Sequence, residues 1–182
     1  MSLADALLQQ AWDLLDLDPR RPKQVNLRRA ISGAYYALFH RLISDATYGV
    51  TGGATSGGAT RDAVARWFTH GRMVATAKSF ASSLGLKKGP VRNLLLDTTT
   101  ASPTHRVPSD LVDVANAFVA LQNARHEADY DLTAWYSRAT ARLLVGRSES
   151  AFHALQRLQH DPTYGLFLLL LLTGEEIARP RE

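Results

Sequence analysis

Apolar residues recur along most of the chain at intervals of three and four, which is the period of a helix with one buried face. The clearest case is the stretch 107–132, with apolar positions at Leu111, Val114, Ala115, Phe118 and Leu121. Pro108 and Ser109 predict its start, with Ser109 as the N-cap and carboxylates in the first turn. Similar patterns predict helices over 2–17, 23–46, 61–68, 73–84, 133–159 and 163–178.

No segment alternates apolar and polar residues with the period of two that is typical of a half-buried β-strand. The chain has 182 residues, which is enough to bury a sizeable core. We therefore predict an all-α fold, an antiparallel up-and-down helical bundle formed by a single domain over 1–182. Residues 48–60 hold two Gly-Gly pairs among small polar residues, and we expect them to form a flexible loop.

The amino-acid composition excludes several classes of protein. Hydrophobic residues make up 46% and charged residues 21%, a globular mixture that excludes a disordered chain. Cysteine is absent, which excludes disulfides and thiolate chemistry. The start of the chain lacks the basic segment of a signal peptide, and the apolar run 164–172 is too short to span a bilayer. We expect a cytoplasmic protein without a membrane partner.

Two polar pairs stand near the end of the helix predicted over 107–132. Residues four apart are neighbours on a helix, so Arg125 lies beside Asp129 and His126 beside Tyr130. A structural interpretation is a salt bridge and a solvated histidine. A functional interpretation treats the four as one site.

A second polar stripe lies in the stretch RRAISGAYYALFHRLI at 28–43, where Arg29, Tyr36 and His40 share one helix face with Gly33. Buried polar groups need partners, so we expect their tips to meet Arg125 and Asp129. The alternative is that the tyrosines pack in the core with hydrogen-bonded hydroxyl groups. Gly33 is costly inside a helix, which indicates close approach of another backbone.

The remaining candidate chemistry is basic. The net charge of +4 permits binding to a polyanion, and Lys87, Lys88 and Arg92 form a positively charged loop. This loop is either a solvated connection or a contact to phosphates. His153 and His160 are too far apart for a metal site, and no other spacing suits one, so we predict neither a metal nor a cofactor.

The strings RAISGAYYALFH and ARHEADYDL, occurring in this order, resemble the HEPN superfamily, in particular its small stand-alone bacterial proteins. The resemblance covers about 23–159. It implies a four-helix core with extra helices, and a homodimer whose late polar helices share a cleft. It also implies RNA or nucleotide as ligand, and for some members a role as a metal-independent RNase toxin with a small nucleotidyltransferase as cognate antitoxin.

Cleavage of RNA needs a base for the 2′-hydroxyl, an acid for the leaving oxygen and a cation for the phosphate. On this hypothesis the catalytic residues are Arg125, Tyr130, His126 and Asp129, and the substrate-binding residues are Arg29, Tyr36, His40, Lys87 and Lys88. The family's signature is an arginine followed after four to six residues by histidine, and Tyr130 and Asp131 stand at that spacing here.

Three functions therefore compete. The first is an endoribonuclease toxin, and the second is a catalytically silent HEPN module that binds a nucleotide, RNA or a nucleotidyltransferase. The third is an unrelated helical protein whose polar group builds a dimer interface.

Overall fold

The computed structural model describes residues 1–52, 58–81 and 107–174, and these residues are helical apart from short connections. The described helices are α1 (Leu3–Asp16), α2 (Gln24–Val50), α3 (Gly58–Ala65), α4 (His70–Phe80), α5 (Ser109–Tyr130), α6 (Arg138–Arg157) and α7 (Pro162–Thr173). No β-strand occurs within these ranges. The predicted all-α fold is confirmed.

Several helix ends differ from the prediction. The carbonyl of Pro108 accepts from the N–H groups of Leu111 and Val112, so the cap lies one residue before the predicted Ser109. Helix α6 begins at Arg138 and not at Thr133, and Ser137 accepts from the N–H of Thr140 as its cap. At the predicted loop 48–60, α2 continues to Val50 and α3 begins at Gly58.

The chain forms two compact units, of which unit 1 comprises Met1–Arg41 and Ala117–His153. Its contacts define the helix directions. Between α1 and α2, Asp18 accepts from Asn26, while Ala11 lies against Gly33, so these helices are antiparallel. Between α2 and α5, Arg28 bonds to Ala128 and Tyr35 contacts Phe118. The residue numbers rise along α2 while they fall along α5, so these helices are also antiparallel. Unit 1 therefore has the predicted up-and-down order.

The fourth helix of unit 1 follows the same alternation. Helix α6 runs parallel to α2, because Gln24 bonds to Tyr136 while the Ser148 hydroxyl donates to the carbonyl of Ala34. The core between these helices is aromatic and aliphatic. Tyr35 is fully buried, and its ring lies 5.5 Å from that of Phe118.

Unit 2 comprises Leu42–Asn116 and Ala154–Glu182. Helices α4 and α7 pack against each other in opposite directions, with the rings of Phe80 and Phe167 5.1 Å apart and the Thr76 hydroxyl donating to the carbonyl of Leu170. Asp161 caps α7 and is followed by proline at the first helical position. None of the described helices combines the length and the apolar character needed to cross a bilayer.

Arginine side chains bind backbone carbonyl groups beside three helix ends. Arg28 donates to carbonyl groups at the end of α5, Arg72 to that of Leu172 at the end of α7, and Arg138 to those of Asp18 and Pro19 after α1. The last turn of a helix leaves carbonyl groups unpaired and carries partial negative charge. These cations therefore stabilise the fold.

Gly33 marks the close approach of α1 to α2. A Cβ at Gly33 would lie 3.5 Å from the Cβ of Ala11, an ordinary contact, and 3.8 Å from the carbonyl oxygen of Leu7. We expect Gly33→Ala to raise the free energy of unfolding by up to about 1 kcal/mol, because alanine favours the helix. Gly33→Leu should lower it by about 1–3 kcal/mol, since larger side chains overpack this contact.

Gly146 of α6 provides the matched control for this prediction. It also lies inside a helix of unit 1, but a Cβ there would meet nothing within 4 Å. Urea denaturation should therefore find Gly146→Leu tolerated and Gly33→Leu destabilised. Equal losses for the two leucine variants would contradict the assignment of Gly33 to a helix contact.

Candidate functional site: an arginine among three tyrosines

The candidate site lies in unit 1, where the last turns of α5 face the first half of α2. The 3.6-residue period of α5 directs Arg125 and Asp129 toward α2, while the antiparallel packing brings Tyr36 opposite them. Arg125 Nη2 donates to the Tyr36 hydroxyl at 2.7 Å. The structure therefore brings together two sequence-predicted residues that are 89 positions apart.

Arg125 and Asp129 form the predicted ion pair, with 2.9 Å between Nε and Oδ2. The Nε–H bond does not point at the carboxylate, so the contact is electrostatic and not a hydrogen bond. The Arg125 side chain is only 13% exposed and that of Asp129 20%. Partial burial strengthens their attraction relative to a surface pair.

Three tyrosine rings surround the Arg125 guanidinium. Its Cζ lies 5.3 Å from the ring centroid of Tyr36, 5.5 Å from that of Tyr130 and 5.9 Å from that of Tyr35. These distances fit cation–π contacts. Tyr35 is buried, and burial raises the pKa of its hydroxyl. Tyr130 is 63% exposed and forms the outer side of the cluster.

Arg125 keeps its positive charge in this environment. Burial acts to lower its pKa, but the hydrogen bond to Tyr36 and the charges of Tyr36, Asp129 and Tyr130 together raise the pKa above its ordinary value. The guanidinium carries five N–H donors, and its hydrogen bond to the described residues is the one to Tyr36. Arg125 therefore has donors left for a ligand.

Two residues missed by the sequence interpretation also contact this end of α5. The Ser32 hydroxyl donates to Asp129 Oδ2 at 3.3 Å, and Arg28 donates to the carbonyl groups of Ala128, Asp131 and Ala134. Arg29, which was expected to join the site, is exposed and makes no such contact. The expectation holds for Tyr36 and fails for Arg29, because at the start of α2 it is Arg28 that faces α5 while Arg29 is exposed to solvent.

The two candidate histidines lie beside tyrosines. The His126 ring is exposed, with its centroid 5.1 Å from that of Tyr130. The His40 ring is half-buried, 6.5 Å from Tyr36 and 5.4 Å from Phe39. Burial lowers the pKa of His40 below its ordinary value, so its imidazole is neutral at neutral pH.

Two lysines were also predicted to bind the substrate. Lys87 and Lys88 lie outside the described residues. Within the described ranges, no group of three or more acidic or histidine side chains is arranged to hold a metal ion.

The arrangement offers one cationic group with fixed orientation and an exposed aromatic ring next to it. An arginine fork suits a phosphate or carboxylate, and an exposed ring suits a planar ligand. No protein-family model, no curated protein and no solved structure matches this chain.

Proposed function

We propose that this protein is a HEPN-type helical module that binds RNA or a nucleotide at the Arg125 site without cleaving it. The observation that carries the proposal is the charged Arg125 guanidinium, whose Cζ lies 5.5 Å from the centre of the exposed Tyr130 ring. A phosphate can bind to the first group while a base or sugar contacts the second. The resemblance of the two polar strings to HEPN proteins supports the same ligand class.

Binding is favoured over cleavage by two features of the site. Asp129 partly offsets the charge of Arg125, which weakens its stabilisation of a pentavalent phosphate. The positions at which HEPN nucleases carry histidine are occupied by Tyr130, Asp131 and Leu132. A site that orients a phosphate but lacks this proton-transfer group is suited to binding RNA and not to cleaving it.

Metal-independent RNA cleavage is the second candidate function. It is favoured by His126 beside Tyr130 and by the neutral imidazole of His40 beside Tyr36. A neutral imidazole can accept the proton of a 2′-hydroxyl, and a tyrosine can orient or donate a proton. A homodimer and a nucleotidyltransferase antitoxin as partner follow from the resemblance, and we propose both on that basis.

The test compares Arg125→Gln with Arg142→Gln. Arg142 is an exposed arginine of α6 that pairs with Asp16, so its loss removes the same charge from unit 1 away from the site. We expect the wild type and Arg142→Gln to bind single-stranded RNA and Arg125→Gln to bind about 10–100-fold more weakly, the cost of losing a charged hydrogen bond. Circular dichroism controls for folding, and fluorescence anisotropy gives the affinities.

The same incubations distinguish the two candidate functions. Intact RNA on a denaturing gel, with binding lost only in Arg125→Gln, supports the binding module. Cleavage by wild type that Arg125→Gln abolishes supports the nuclease, and His126→Ala and His40→Ala then locate the proton-transfer group. Equal RNA binding by wild type and a folded Arg125→Gln contradicts the assignment of the site.

A further inference from the structure

The connection between α5 and α6, residues 131–137, has a fixed backbone although it is not helical. Arg28 donates to the carbonyl groups of Asp131 and Ala134. The side chain of Gln24 accepts from the N–H of Tyr136 and donates to its carbonyl group. The ring of Tyr136 is buried. This connection is therefore held at both ends by α2.

Large apolar side chains on this end of the unit nevertheless face solvent. Trp135 is 75% exposed, Leu132 is 93% exposed, and Tyr130, the last residue of α5, is 63% exposed. Trp135 stands between Ala134 and Tyr136, which are both anchored. An exposed tryptophan on a fixed backbone contributes little to folding and has the features of a binding residue.

Arg28 also places this connection next to the Arg125 site. One guanidinium bonds to Ala128 in the last turn of α5 and to Asp131 and Ala134 in the connection. The three carbonyl groups are therefore within the span of one side chain. Trp135 follows directly after Ala134, so it lies near the end of α5, which carries Arg125 and Tyr130.

The charges at this end favour contact with one phosphate over contact with many. Glu127 and Asp131 are exposed carboxylates, and Asp131 accepts from the N–H and hydroxyl groups of Thr133. Carboxylates repel the closely spaced phosphates of a duplex, whereas the Arg125 guanidinium attracts a single phosphate of an unpaired strand. A ligand with one phosphate and one or two planar bases fits this distribution better than a duplex.

We infer that Tyr130 and Trp135 form a stacking surface for one or two unpaired nucleobases of RNA, with a phosphate bound at Arg125. This inference rests on the proposed function and names its ligand as single-stranded RNA. Stacking on aromatic side chains tolerates any base, since every base has a flat π-face. Recognition therefore depends on the bases being unpaired and not on their sequence.

The experiment measures binding of a single-stranded adenylate hexanucleotide, a blunt-ended RNA duplex and a hexamer of abasic ribose phosphates. We expect the wild type to bind the first and to bind the other two at least tenfold more weakly. Trp135→Ala should weaken binding of the hexanucleotide about 5–100-fold, in line with the loss of one stacked base. Trp67→Ala is the matched control, because Trp67 is 71% exposed in unit 2.

Tryptophan fluorescence gives a second measurement. Trp12→Phe together with Trp67→Phe leaves Trp135 as the single tryptophan of the chain. Stacking of a base on Trp135 is expected to quench its emission on addition of the hexanucleotide and not of the abasic hexamer. Equal quenching by both would overturn the inference.

The outcomes separate this inference from the proposed function. If the hexanucleotide binds but Trp135→Ala and Tyr130→Ala bind it like wild type, the stacking surface is wrong and the proposed function stands. If wild type binds none of the three probes, both fail. If Trp135→Ala changes the sedimentation coefficient and leaves RNA affinity unchanged, the exposed aromatic residues belong to a protein interface, which also overturns the inference.

Discussion

Replacing Arg28 with alanine is expected to lower the free energy of unfolding by about 3 kcal/mol. A hydrogen bond from a charged donor contributes about 1.5–3 kcal/mol, and less where water can replace the donor, as at the exposed bond to Asp131. Arg28 donates to three carbonyl groups, of which that of Ala128 is in the last turn of α5. Its loss leaves these groups without their donor and removes a cation from the negative end of the helix. Chemical denaturation at neutral pH measures the change.

Arg29→Ala provides a control of the same charge and size at the adjacent position. Arg29 is exposed, so its replacement should change the free energy of unfolding by no more than about 0.5 kcal/mol. Arg28→Lys should recover only part of the loss, because one ammonium group cannot reproduce the planar fork. Equal small effects of Arg28→Ala and Arg29→Ala would contradict the role given to Arg28.

The second large effect concerns the Arg125–Asp129 ion pair. Arg125→Met is expected to lower the free energy of unfolding by about 2–3 kcal/mol, because it leaves a partly buried carboxylate without its cation. Among the described residues, the carboxylate then keeps only the hydroxyl group of Ser32 as donor. Asp129→Leu should cost less, since the guanidinium keeps its hydrogen bond to Tyr36 and three aromatic rings.

A double-mutant cycle measures the coupling between the two charges. The combination of Arg125→Met with Asp129→Leu should be more stable than Arg125→Met alone, because an apolar pair can replace an ion pair at little cost. We expect a coupling energy of about 1–2 kcal/mol. A coupling near zero would show that the two charges do not interact in solution. The Arg142–Asp16 pair, which is exposed, serves as control and should show weaker coupling.

The local geometry of the site could be predicted from the sequence. Helix periodicity alone places Arg125 beside Asp129 and His126 beside Tyr130, and both contacts are present. The meeting of Tyr36 with Arg125 required a further step, namely the matching of two polar stripes on helices that are far apart in the chain. That step was successful because few partners are available for buried polar groups.

The rotation of α2 about its axis could not be predicted from the sequence. Arg28 and Arg29 differ by about 100° around the helix, and each heads a stripe that contains a tyrosine. The sequence does not specify which stripe faces α5, since polar and apolar residues occur on both. In the structure, Arg28 and Ser32 of one stripe and Tyr36 of the other bond to the end of α5, so α5 lies between the two stripes.

The sequence pattern did not predict the non-helical connection after α5, because apolar residues continue through it. Leu132 and Trp135 extend the apolar pattern, although both are exposed. A local signal was present, since Asp131 and Thr133 form a turn in which the carboxylate accepts from the following backbone. Aspartate and threonine at this spacing favour such a turn over a helix.

The distance along the chain between the two halves of the site has a consequence for evolution. Tyr36 and Arg125 are separated by 89 positions, and Arg28 and Ala134 by 106. The entropic cost of closing a flexible loop grows only slowly, by about 0.6 kcal/mol for each doubling of its length. Insertions or deletions of tens of residues in the intervening stretch should therefore change the cost of assembling the arginine–tyrosine cluster very little. Distant homologues are best sought by the two short polar strings together, with the spacing between them left free.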